Sequence, residues 1–215
     1  MRQIVRFVVQ SHNNRDYHVV RTLLFAMTKR KINAVNFKKR NKLMKKIIKY
    51  EEITDNLESE IANYLGKVSA SKLTDKSSLR LRSMLSITSD LERIGDIYMQ
   101  ITKTVEKKTN DKLWFDQKQR DNLNGLLDRV GEAYELMISN INGNYSDINL
   151  DKSVSIESSI NKLRNDIRKK HFKSMEKGDY NAQSGILYSN IFSSIERIGD
   201  HIMNVSEAAS GQQLN

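Results

Sequence analysis

None of the 215 residues is proline, where average usage of roughly 5% would supply about ten. A chain without proline contains no outright helix breaker, and its apolar side chains recur as a helix requires. Leu81, Met84, Ile87, Leu91, Ile94, Tyr98, Ile101 and Val105 follow at spacings of three and four, a stripe about seven turns long. Tyr188, Ile191, Ile195, Ile198, Ile202 and Val205 repeat the pattern. Polar clusters, with Gly66, Gly143, Gly178 and Gly211 read as helix ends, predict six helices over Asp16–Val35, Lys39–Leu65, Asp75–Lys107, Phe115–Asn140, Asn149–Met175 and Asn181–Ala208. Short connections between such helices imply antiparallel neighbours, hence bundles.

The six helices read as two copies of three. Ser89-Asp-Leu-Glu-Arg-Ile-Gly-Asp96 returns as Ser193-Ser-Ile-Glu-Arg-Ile-Gly-Asp200, at an offset of 104 residues. Glu51, Asp55, Leu57 and Ile61 match Glu157, Asn161, Leu163 and Ile167 at an offset of 106. Two unrelated segments repeating at nearly one offset indicate a tandem duplication. The expected organisation is a leader or juxtamembrane remnant over 1–15, a first repeat over 16–110, a second over 111–209 and a tail over 210–215, with the joint near Lys108 to Trp114.

Composition narrows the chemistry. The absence of cysteine removes disulfides, thiolate metal sites and thiol catalysis, and fits a reducing compartment. The formal net charge of +10 is unevenly spread: residues 1–50 carry 14 basic side chains and one acid, Asp16, so the rest of the chain is slightly acidic. No apolar run approaches the roughly 18 residues of a membrane span, and Ile4, Val5, Phe7, Val8 and Val9, interrupted by Arg6, read as an edge strand or a disordered leader.

Each repeat places acids four residues apart on two of its helices: Glu51 with Asp55 and Glu92 with Asp96, then Glu157 with Asn161 and Glu196 with Asp200. Residues i and i+4 lie on one helix face. At about 100° per residue, Glu92 and Asp96 fall roughly 130° to 170° from the centre of the apolar stripe, as do Glu196 and Asp200, while Glu51 and Asp55 fall about 90° to 130° from theirs. The carboxylates should therefore form a ridge outside the bundle or a groove between helices. Like charges at this spacing cost a few tenths of a kcal/mol, which a hard or borderline cation would offset. Neutralisation by Arg93 and Arg197 is the competing reading. Gly95 and Gly199 inside the motifs cost about 1 kcal/mol each relative to alanine, which points to close approach by a neighbouring helix or an ion. His201 reads as a flank residue outside its carboxylate cluster, and His12, His18 and His171 as surface or structural.

A duplicated three-helix unit, with Glu-Arg-Ile-Gly-Asp in each copy and an upstream acidic pair, resembles the PhoU family of phosphate-uptake regulators. The stretch from Ile195 to Glu207, IERIGDHIMNVSE, is similar to the family's longer signature. The resemblance spans about residues 16–209. It implies an all-α fold of two three-helix bundles side by side, with multinuclear metal clusters on the surface. Glu51, Asp55, Glu92 and Asp96 would hold one site, and Glu157, Glu196 and Asp200 the other, for divalent or trivalent ions such as iron, zinc, manganese or magnesium. Two departures stand out: Asn161 replaces an acid, so the second site should bind more weakly, and the first copy has Ile97 and Gln100 where the second has His201 and Asn204.

PhoU-like proteins occur as cytosolic partners of an ATP-driven phosphate importer and sensor kinase, or as the C-terminal cytosolic part of a sodium/phosphate cotransporter. The wording of the second copy looks more like the cotransporter type, and the basic segment 29–49 suits the flank of a membrane span facing anionic lipid. On this reading the chain is a non-enzymatic regulatory domain at the cytosolic face of the inner membrane. Its partners are a transporter membrane domain or phosphate-signalling proteins, and the resemblance also allows a homodimer. Nucleic-acid binding is disfavoured by the few aromatics within the basic segment. A carboxylate-metal enzyme is disfavoured because neither motif supplies the Glu-x-x-His ligands of a bundle-core oxidase, and no nucleophile–base set or phosphate-cradling glycine loop appears.

Overall fold

The computed structural model describes residues 34–70, 73–143, 148 and 150–211, with side chains from Asn41 onward. Five helices account for nearly all of them: α1 (Ala34–Ser69), α2 (Asp75–Asn110), α3 (Gln117–Asn142), α4 (Leu150–Glu176) and α5 (Ala182–Ser210). The expected leader, His12, His18 and most of the helix expected over Asp16–Val35 lie outside the described residues.

Helix ends follow local chemistry. Thr74 caps α2 by accepting from the Ser77 amide at 3.3 Å. Asp116 and Gln119 form a reciprocal capping box on α3, with bonds of 2.7 and 2.9 Å. Asn181 caps α5, and Gly211 ends it in the left-handed conformation at φ 73°. Gly143 also caps, closing α3. Two sequence expectations fail. Gly66 does not end α1, which continues through Ser69, and no break separates Val35 from Lys39, since α1 runs unbroken from Ala34. A lone exposed glycine costs only about 1 kcal/mol, and the polar residues around Asn36 contain no breaker.

The apolar stripes become the core. Ile94, Ile195 and Ile198 are fully buried, as are Leu126, Val130 and Met137 on α3. Helix α5 packs against α2, α3 and α4; α3 also packs on α4, and α1 lies along α2. Thus α3, α4 and α5 form one three-helix bundle, α1 and α2 pack as a helix pair, and the α2–α5 contact is the spine between them.

The link between the halves, residues 111–116, is tied down. The Ser184 hydroxyl on α5 donates to the Trp114 carbonyl at 2.8 Å. Buried Lys108 places its amine 5.4 Å from the ring centre of Trp114 and 5.0 Å from that of Phe115. Burial, with help from Arg120, pushes that amine down to about 8. His171 is buried and structural: it stacks on Tyr180 and meets the ring edges of Tyr188 and Phe192, fastening the end of α4 to α5.

Candidate metal centre

Gly95 and Gly199 set how closely the helices approach. A Cβ at Gly95 would touch Thr54 of α1 at 3.8 Å, and one at Gly199 would meet Ile160 of α4 at 3.0 Å. The close approach anticipated from the glycines is therefore made by a neighbouring helix. Its consequence is that the acids flanking Thr54 and Gly95 share one groove.

In that groove Glu51 and Asp55 of α1 and Asp96 of α2 offer carboxylate oxygens all within 4.8 Å of one another. Ligands on opposite sides of a cation with bonds of 2.0–2.6 Å stand about 4 to 5 Å apart, so the donor set fits a hard or borderline metal ion. Glu92 sits one turn from Asp96 and hydrogen-bonds with it. Burial, then the charges of Asp96 and Asp55, push the Glu92 carboxyl up to about 7, with Glu58 adding to the effect. Glu51 and Asp55 are raised too, first by burial and then by neighbouring acids, with Lys103 partly opposing the rise at Glu51. These are carboxylates held together against their repulsion, which a cation would relieve.

The second repeat places the corresponding positions on a packed pair of helices but neutralises its acids differently. Glu157 and Asn161 of α4 face Glu196 and Asp200 of α5, and Asn161 donates its amide to Glu157. Arg164 of α4 donates to Glu196 and forms an ion pair with it. Asp200 is pushed up to about 6 by burial, Glu196 and Glu157, against the opposing charges of His201 and Arg164. Among the described residues, only the acids of the first repeat come together as three potential ligands. Arg93 and Arg197, the arginines expected to neutralise the motifs, are exposed; the cation that reaches the acids is Arg164.

Neither Arg164 nor its counterpart stood out in the sequence, although the offset of 106 would have found them. It pairs Arg164 with Glu58, so the position that repels Glu92 in the first repeat neutralises Glu196 in the second. A reciprocal exchange places Lys103 near Glu51 and Glu207 near Glu157. His201 leaves the carboxylate groove to meet buried Asp90 of α2 at 2.8 Å, and Asn204 donates to the same oxygen at 3.2 Å.

Two repeats of long helices joined through α2 and α5, each with acids between two of its helices, define an all-α tandem-repeat protein. The family model described as the PhoU domain matches twice, over residues 22–105 and 124–209, and the chain belongs to the PhoU family. It is similar to the phosphate-specific transport system accessory protein PhoU homolog 1 of Thermotoga maritima, 24% identical over 77% of this chain and 70% of that protein. Among solved structures it resembles the phosphate transport system regulatory protein PhoU from Streptococcus pneumoniae, at 20% identity, TM-score 0.63, and 92% and 91% coverage of the two chains. PhoU from Pseudomonas aeruginosa matches at 16% identity and TM-score 0.70, covering 94% of this chain and 93% of that one. These structural likenesses concern the fold.

Proposed function

We propose that this chain is a cytosolic regulator of phosphate uptake acting by contact with a transport system, with metal bound in the α1–α2 groove. Family membership over both repeats carries the regulatory reading. The named relatives are an accessory and a regulatory protein of phosphate transport systems, which favours the free-standing accessory role over the cotransporter-domain role. The reading is regulatory rather than catalytic. In the groove, Glu51, Asp55 and Asp96 would hold the ion and Glu92 would complete or adjust the set; the ion would join α1 to α2.

A second reading, attachment to anionic membrane or to a membrane-embedded transporter, is favoured by one observation. Lys42, Lys45, Lys46 and Lys49 are all exposed on α1, at i, i+3, i+4 and i+7. None of the described helices is long and apolar enough to cross a membrane itself.

The regulatory reading is tested by deleting the gene in its host and measuring radiolabelled phosphate uptake in phosphate-replete and starved cells. Deletion should change uptake or its response to starvation, and an Asp55→Asn, Asp96→Asn chain should fail to restore it. Unchanged uptake under both conditions would refute the proposal. Covalent cross-linking in membranes then identifies the transporter component that is touched.

A further inference from the structure

We infer that Arg164 fills the second groove in place of a metal, so that metal responsiveness is confined to the first repeat. The inference rests on the metal reading of the first repeat and concerns what the duplication has done to its twin.

Three observations converge. Arg164 forms its ion pair with Glu196, joining α4 to α5 across the groove that in the first repeat lies between α1 and α2. Asn161 stands where Asp55 stands in the first repeat and turns its amide nitrogen to Glu157, so one ligand charge is lost and another carboxylate is satisfied from within. Lastly, no set of three candidate ligands forms in this groove among the described residues, although Glu157, Glu196 and Asp200 are all present. Asn161 Oδ1 is buried without a hydrogen-bond partner, but a neutral acceptor adds no charge to hold a second cation beside a guanidinium.

Guanidinium suits this post. It is always charged, carries its donors in a fixed fork and is less strongly hydrated than an ammonium, so it survives partial burial beside a carboxylate. Lys103 does not do the same in the first repeat. It is exposed and lies toward the Glu51 end of the groove, leaving Asp55, Glu92 and Asp96 with Glu58 as a further acid. Arg164 therefore bridges the α4–α5 groove at all times, while the acidic groove between the packed helices α1 and α2 is bridged only when a cation is bound. The chain becomes an asymmetric device, one half fixed and the other conditional.

Mn2+ binding to the full chain by calorimetry, with hydrogen exchange read in parallel, tests this. Asp55→Asn with Asp96→Asn should abolish Mn2+ binding, and Glu196→Gln with Asp200→Asn should leave it intact. Saturating Mn2+ should slow exchange in α1 and α2 with α4 and α5 unchanged. Adding Asn161→Asp and Arg164→Glu to the chain that lacks the first site should restore binding. Arg164→Gln with Asn161→Asp is the milder variant should charge reversal unfold the repeat, and circular dichroism checks both. Wild-type Mn2+ binding that is removed by Glu196→Gln with Asp200→Asn overturns the inference, as does failure of the folded second-repeat variants to gain any. A wild-type chain that binds no Mn2+ but gains it through the second-repeat changes refutes the metal reading of the first repeat and supports the role given to Arg164.

Discussion

Nδ1 of His201 lies 2.8 Å from Oδ1 of Asp90, and the pair joins the last helix of one repeat to the last helix of the other. At the offset of 104, Asp90 corresponds to Ser194 and His201 to Ile97, so the contact exists in one direction only. The duplicated helices have thus acquired complementary polar groups at a buried spine. Removing either partner strands the other: Asp90→Ala or His201→Ala should each cost about 1 to 3 kcal/mol in urea unfolding. Because the two side chains touch, the double-mutant cycle should show a coupling of about 0.5 to 3 kcal/mol. Additive costs would mean that the contact contributes nothing to holding the repeats together.

The two motif glycines should respond oppositely to alanine. Alanine is favoured over glycine in a helix interior by about 1 kcal/mol. At Gly95 the new methyl would meet Thr54 at an ordinary 3.8 Å, so Gly95→Ala should raise the melting temperature. At Gly199 it would lie 3.0 Å from Cδ1 of buried Ile160, and overpacking costs about 1 to 3 kcal/mol, so Gly199→Ala should lower it. Ile160→Val removes the offending Cδ1. On the Gly199→Ala background it should therefore cost less than its usual 0.5 to 1.5 kcal/mol, or stabilise outright. Equal shifts for the two alanines would contradict the 3.0 Å contact.

Much of this arrangement is legible in the amino-acid sequence. Periodicity around Leu91 and Ile195 identified the buried faces because side-chain direction on one helix follows from spacing alone. The same arithmetic placed Glu92 and Asp96 away from the core, and their groove lies where it put them. What spacing cannot supply is the axial offset between neighbouring helices. Arg164 meets Glu196 only because α4 slides to one register against α5, whereas Arg197, adjacent in sequence, points to solvent. The Asp90–His201 contact lies further beyond reach, since it depends on how the two repeats dock. Gly66 misled for a different reason: glycine often ends helices, yet nothing in the next turn offered α1 a better conformation.

Acid should stabilise the metal-free protein through Glu92. Its folded carboxyl is raised to about 7 by burial and by Asp96 and Asp55. The folded state therefore holds a proton that the unfolded chain releases, and this contribution is lost as pH rises from the ordinary glutamate range through about 7. Asp200, raised to about 6, adds the same sign over a lower window. With chelator present, the melting temperature should show a downward component between about pH 5 and 7 that Glu92→Gln removes. Mn2+ binding near pH 7 should release protons, seen as a calorimetric heat that varies with the ionisation enthalpy of the buffer. An identical pH slope in the Glu92→Gln chain would show that the carboxyl is not strained.

The lysine stripe of α1 separates a lipid-attached regulator from one that meets only protein. Lys42, Lys45, Lys46 and Lys49 are exposed together, and Ile48 beside them is 44% exposed. A basic side chain close to an anionic bilayer contributes about 1 kcal/mol, so four of them together give about a thousandfold in partitioning. Sedimentation with vesicles rich in anionic lipid should carry the chain down at low ionic strength, and salt should release it as the Debye length shortens to about 8 Å near 0.15 M. Neutral vesicles should not bind it. Lys45→Glu with Lys46→Glu should cut sedimentation at least tenfold without altering the melting temperature, since neither side chain contributes to the core. Binding that survives both this change and high salt would place the attachment elsewhere on the molecule. No binding to anionic vesicles at all would leave the transporter's own protein surface as the target of the stripe.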